Sequence, residues 1–183
     1  SVQRAPIMQR IFGRFLEKHA DQFGTPREHV HNAPVEISAA RSMIEESLDF
    51  QDIQSRILFG ELPEEHELEP MYGTYAGQVR EILRLFHQHK LVRKCGITSA
   101  AHLNRVGAVV GKIGMDVDGR HLFSAVGFMH DALEDLLDVV KDPHGRTYTV
   151  HDYQIFLDRY AAPELHEHIK LITNFYDLLL SDI

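Results

Sequence analysis

The sequence predicts an all-α protein, a helical bundle preceded by an N-terminal helical extension. Two observations carry this. Apolar residues recur at three- and four-residue steps along most of the chain, and the strict alternation that marks half-buried strands is almost absent. Glycine and proline then cut the chain into helix-length segments. At 183 residues the chain is one ordinary domain, and surface scaling implies that roughly 70% of its unfolded area is buried on folding. That is ample for a core.

Ile7, Ile11, Phe12 and Phe15 predict a first helix, ended by Gly24-Thr25-Pro26. Ile37, Met43, Ile44, Leu48 and Ile53 predict a second helical region, broken near Asp49. The acidic stretch Gly60 to Pro70 is bounded by glycine and proline and reads as a loop or linker. It divides an extension, residues 1–70, from a domain over 71–183. Val79, Ile82, Leu83 and Phe86 form the next stripe, running out toward Val92 before the basic turn Arg93-Lys94-Cys95-Gly96. Thr98-Ser99 offers a hydroxyl N-cap to a helix whose stripe is His102, Val106, Val109, Val110 and Ile113. Leu122 to Val140 is predicted to bury Phe123, Val126, Leu133 and Leu137, and Asp142-Pro143-His144-Gly145 is a turn. Helices around Tyr153 to Tyr160 and from Pro163 onward complete the order.

Composition narrows the function classes. Hydrophobic residues make up 44% and charged residues 25%, within the range of globular proteins. The net charge of −8 argues against a double-stranded nucleic-acid binder, which should be basic. No run approaches the ~20 apolar residues needed to span a bilayer, and the start lacks the apolar stretch of a secretory signal. One cysteine, Cys95, cannot form an internal disulfide. A cytoplasmic protein is expected. Its 13 histidines direct attention to metal binding, since imidazole is the commonest metal ligand.

The informative pattern lies on two successive helices. His102 falls on the stripe of Val106 and Val109, and His130 shares a face with Phe123, Val126, Leu133 and Leu137. Asp131 follows His130, about 100° further round. A charged aspartate beside an inward histidine is costly to bury unless something compensates it. A divalent cation held by His102, His130 and Asp131 would do so, because imidazole and carboxylate suit Mn, Fe or Zn. Glu134 and Asp135 repeat the acidity one turn on, where they could serve an attacking water as acid or base.

These residues resemble the HD superfamily of metal-dependent phosphohydrolases. The likeness is strongest to the RelA/SpoT-type domain that removes pyrophosphate from guanosine polyphosphates. The family's Arg-Lys-x-Gly turn is matched by Arg93 to Gly96, its first histidine by His102, and its His-Asp-x-x-Glu-Asp run by His130 to Asp135. A Val-Thr pair on a later helix is matched loosely by Ile172-Thr173. The likeness covers roughly residues 75 to 183. It implies an HD-type bundle that hydrolyses a nucleotide phosphate ester or anhydride, such as a guanosine 3′-diphosphate. It further implies His102, His130 and Asp131 as ligands, manganese as the ion (Fe, Zn or Mg as alternatives), Glu134 and Asp135 as catalytic groups, and Arg93 and Lys94 as nucleotide contacts. Leu136 stands where the family has threonine. The family's fourth ligand is an aspartate from a later motif; Asp177 is the nearest substitute here, the alternatives being a residue beyond Ile183 or a degenerate site. A non-catalytic HD module for sensing or partner binding is the rival expectation, and a homo-oligomer is open.

Other histidines read as structural. His151-Asp152 suits a helix start, His166 and His168 are two apart on opposite helix sides, and His29, His31, His87 and His89 suggest loops or solvated faces. Gly107 and Gly111 form a Gly-x-x-x-Gly spacing that here predicts close helix packing rather than membrane dimerisation.

Overall fold

A computed structural model describes residues 33–92, 96, 98–114, 121–137 and 139–172. These residues are 77% helical and contain no strand. The expected first helix, the basic residues Arg93 and Lys94, Cys95 and the candidate ligand Asp177 lie outside them.

The helices are α1 (Ala33–Glu46), α2 (Leu48–Leu58), α3 (Glu65–Tyr72), α4 (Ala76–Gln88), α5 (Ser99–Gly114), α6 (Leu122–Leu137), α7 (Tyr153–Tyr160) and α8 (Pro163–Ile172). The second helical region breaks at Ser47, two residues before the expected place. There the extended backbone lets the Ser47 hydroxyl accept from Phe50 N and start α2 afresh.

The acidic stretch is a correction. Residues 65–70, expected in a linker, belong to α3, which runs on to Tyr72 in the following domain. Early acidic residues complement the positive end of a helix dipole, and the Glu67 carboxylate reaches back to accept from Glu64 N at 2.8 Å. Leu68 and Tyr72 give α3 a buried face in the same core as Ile57 of α2 and the later helices. Arg56 closes the α2–α3 corner with two bonds to Glu67, Nη1–Oε1 at 2.6 Å and Nη2–Oε2 at 3.0 Å.

The stripe on α4 is buried as expected, but the helix stops at Gln88 rather than near Val92. Leu91 N bonds to Phe86 O and Lys90 N to His87 O, the closing pair of a Schellman turn. Lys90 takes the left-handed position at φ 52°, which glycine normally fills. Val92 and Thr98 then form an isolated antiparallel bridge.

Helix α6 is the axis of the molecule. Its residues 123–130, 132, 133, 136 and 137 are buried, so it is enclosed nearly all round rather than along one stripe. Helix α5 packs against it along a glycine seam. A Cβ on Gly107 would lie 3.0 Å from Ser124 O, and one on Gly127 would lie 2.8 Å from Val110 Cβ. A Cβ on Gly111 would overlap the Ser124 hydroxyl outright, at 1.9 Å. The Gly-x-x-x-Gly spacing therefore permits close packing, as expected. Among the described residues no helix is long and apolar enough to cross a membrane.

Beyond α6, Asp142 Oδ1 accepts from His144 N and Arg146 N to form the expected turn. Asp152 precedes α7 and accepts from both Thr149 N and Thr149 Oγ1 at 2.9 Å, so the His151-Asp152 pair serves local structure.

Candidate functional site

The α5–α6 pair sets the geometry. Gly107 and Gly111 face Ser124, and Gly107 also faces Phe128, while Gly127 faces Val110. The two helices therefore run antiparallel. Continuing that register toward the start of α5 brings His102 level with the turn of α6 that holds His130 to Glu134.

The buried face of α5 includes Val109 and Val110 of the expected stripe but extends beyond it. Ala100, Ala101, Leu103 and Asn104 are buried, whereas His102 and Val106 are only half-buried. Small residues explain the difference. Alanine and glycine contribute little to hydrophobic periodicity, yet they are what a close seam needs. His102 thus sits at the border of the packed face rather than in its centre.

His130 is 1% exposed. Its Nδ1 lies 2.8 Å from the carbonyl of Gly127 on the same helix. A carbonyl can only accept, so Nδ1 carries the hydrogen, and in the neutral ring Nε2 is the acceptor. That nitrogen lies 3.4 Å from Asp131 Oδ2. Two acceptors at this distance repel, and a proton or a cation between them converts repulsion to attraction. A backbone-anchored ring nitrogen opposite the ligating one is also the usual support of a metal-binding histidine.

The donors pass a distance test for one ion. Metal–ligand bonds of about 2.1 Å place two donors on a tetrahedral or octahedral ion roughly 3.0–3.4 Å apart. His130 Nε2 and Asp131 Oδ2 stand at the upper end of that range. A third donor is not gathered: among the described residues no group of three or more His, Cys, Asp or Glu is placed to hold a metal ion. His102 is level with the pair, but the three do not form a coordination group.

Glu134 is half-buried and Asp135 exposed, so both acids are within reach of solvent one turn beyond the pair. Elsewhere, His166 and His168 are buried, and His166 Nε2 lies 2.9 Å from Ala161 O, which ties α8 to the end of α7. Two buried amides, Gln54 and Asn104, were not singled out by sequence reasoning. The signal was available for Gln54, which occupies one face of α2 with Phe50 and Ile57, both buried. No family model, curated protein or solved structure matches the chain.

Proposed function

We propose that the chain is an HD-type, metal-dependent phosphohydrolase acting on a nucleotide phosphate ester or anhydride, with a guanosine 3′-diphosphate as the first substrate to test. The observation that supports this best is the His130–Asp131 pair, a ring nitrogen anchored from behind by the Gly127 carbonyl and facing a carboxylate at 3.4 Å. In this reading His130, Asp131 and His102 hold the ion, manganese foremost, and Asp177 is the candidate for the remaining position. When bound, the ion supplies Lewis-acid polarisation of phosphoryl oxygen and a lower pKa for water. Glu134 and Asp135 orient the attacking water and take its proton as the new P–O bond forms. The ester or anhydride oxygen leaves as the old P–O bond breaks, and where it is an alkoxide it receives the proton taken from the water. Arg93 and Lys94 supply the positive charge that a polyanionic substrate needs in an acidic protein.

The test is phosphate or pyrophosphate release with Mn²⁺. Chelation abolishes turnover and Mn²⁺ restores it, while Glu134→Gln lowers kcat by at least about 100-fold, the usual scale of general acid–base catalysis. Full activity in Glu134→Gln refutes its role. A second reading, a non-catalytic HD module, is favoured by the lack of a three-donor group among the described residues. It predicts nucleotide or metal binding without any release of phosphate.

A further inference from the structure

A buried hydrogen-bond chain converges on the same turn of α5. Gln54 Nε2 donates to Ala101 O at 2.7 Å, Asn104 Nδ2 donates to Gln54 Oε1 at 2.8 Å, and Tyr72 Oη donates to Asn104 Oδ1 at 2.6 Å. Gln54 is 6% exposed, Asn104 and Tyr72 not at all. The chain links α2 and α3 to α5, and its last acceptor is the carbonyl of the Ala101–His102 peptide itself.

Its direction is forced. The Ala101 carbonyl can only accept, so Gln54 must present its NH₂ there and its oxygen to Asn104. Asn104 must then present its own NH₂ to Gln54, which leaves Oδ1 for a donor. Tyr72 has to be that donor, and burial pushes its phenol well above the ordinary value, so the hydroxyl keeps its proton. Gly107 is part of the device, because a Cβ there would lie 3.0 Å from the Tyr72 oxygen.

We propose that Gln54 and Asn104, with Tyr72 behind them, are positioning residues for His102, fixing the rotation and height of the first turns of α5 against α2 and α3. The glycine seam at Gly107 and Gly111 lies beyond the first turns of α5, and apolar packing alone, being non-directional, does not fix the rotation of those turns. A donor–acceptor chain with one allowed polarity does fix it, since any rotation leaves a buried amide unsatisfied. Residues 48–72 thereby reach the His102 turn through hydrogen bonds rather than only through packing. The role as a metal-site support rests on the hydrolase reading; the positioning of His102 does not.

The test replaces the chain by apolar groups of similar volume, Gln54→Met/Asn104→Leu/Tyr72→Phe. Removing all partners together avoids orphaned amides, so cooperative unfolding is retained. Ring ¹⁵N–¹H correlations of metal-free protein, assigned by their loss in His102→Ala, are expected to shift or double for His102 and stay fixed for His166. The Mn²⁺ dissociation constant is expected to rise at least tenfold, the scale of lost outer-shell support. Unchanged His102 signals in the folded variant overturn the proposal. If wild-type protein binds no Mn²⁺ while the His102 signals still move, the hydrolase reading fails and the positioning stands. Should the triple variant not fold, Tyr72→Phe removes only the far hydroxyl; a smaller His102 shift supports the chain, and no shift contradicts it.

Discussion

The α2–α3 corner and the α5–α6 seam hold the molecule together by opposite means. At the corner, Arg56 grips Glu67 through two bonds and also meets Glu61 and Asp52. All four side chains are at least a quarter exposed, so the contact is screened by salt and adapts to its surroundings. At the seam, an added methyl group on Gly107, Gly111 or Gly127 would lie 3.0, 1.9 or 2.8 Å from its nearest neighbour. Shape, not charge, sets that contact. Precision resides in the pair that positions the histidines, where an added Cβ forces its neighbours to shift, whereas the corner feeding it tolerates changes of charge.

The largest effect that probes this contrast is Gly127→Ala. The new Cβ meets Val110 Cβ at 2.8 Å, an atom that cannot rotate away. Overpacking costs about 1–3 kcal/mol, offset by about 1 kcal/mol of helix propensity. The net loss, about 1 kcal/mol at the middle of that range, lowers Tm by roughly 2–4 °C at this chain length, measured by calorimetry. An unchanged Tm shows that the seam is looser than described. Gly111→Ala is milder, because the atom it strikes is the rotatable Ser124 hydroxyl. In the double variant Gly111→Ala/Ser124→Ala, part of the loss is recovered, and a thermodynamic cycle reads that coupling directly.

The corner responds to pH instead. Arg56 holds the Glu67 carboxyl down at about 2, below the usual carboxylate range. A depressed folded pKa means the carboxylate's contribution is present above the unfolded value near 4.5 and is lost as pH falls toward 2. Arg56→Met flattens stability against pH in that window while leaving its slope near neutrality unchanged. A steep acid limb retained in Arg56→Met removes the pair from the account. Smallest is Lys90→Gly, which relieves the left-handed backbone at φ 52° and raises stability by up to about 1 kcal/mol.

The same contrast explains what could be read from the sequence. Large apolar residues announced themselves, and Val79, Ile82, Leu83 and Phe86 on α4 are all buried. Gly107 and Gly111 predicted close packing, and Pro163 opens α8. The acidic stretch misled because proline and glycine suggested a loop, while the residues stabilising α3 were the acids themselves. The end of α4 was missed because a lysine occupies the glycine position of its closing turn. Val109 and Val110 of the α5 stripe are buried, but Ala100, Ala101 and Asn104 escaped it because alanine and asparagine are silent in an apolar stripe. The candidate site was legible as residue types, His102 and His130 to Asp135. The amide chain behind His102 needed three-dimensional placement because Gln54 lies about 50 residues from its partners, and the His130 anchor, though only three residues away, depends on a ring orientation that sequence does not show.

In the proposed hydrolase, one cation is shared between α5 and α6. Substoichiometric Mn²⁺, added to ¹⁵N-histidine-labelled protein, tests it through paramagnetic loss of ring signals. A shared ion makes His102 and His130 disappear together while His166 remains. Loss of one without the other, or uniform loss across all histidines, contradicts it.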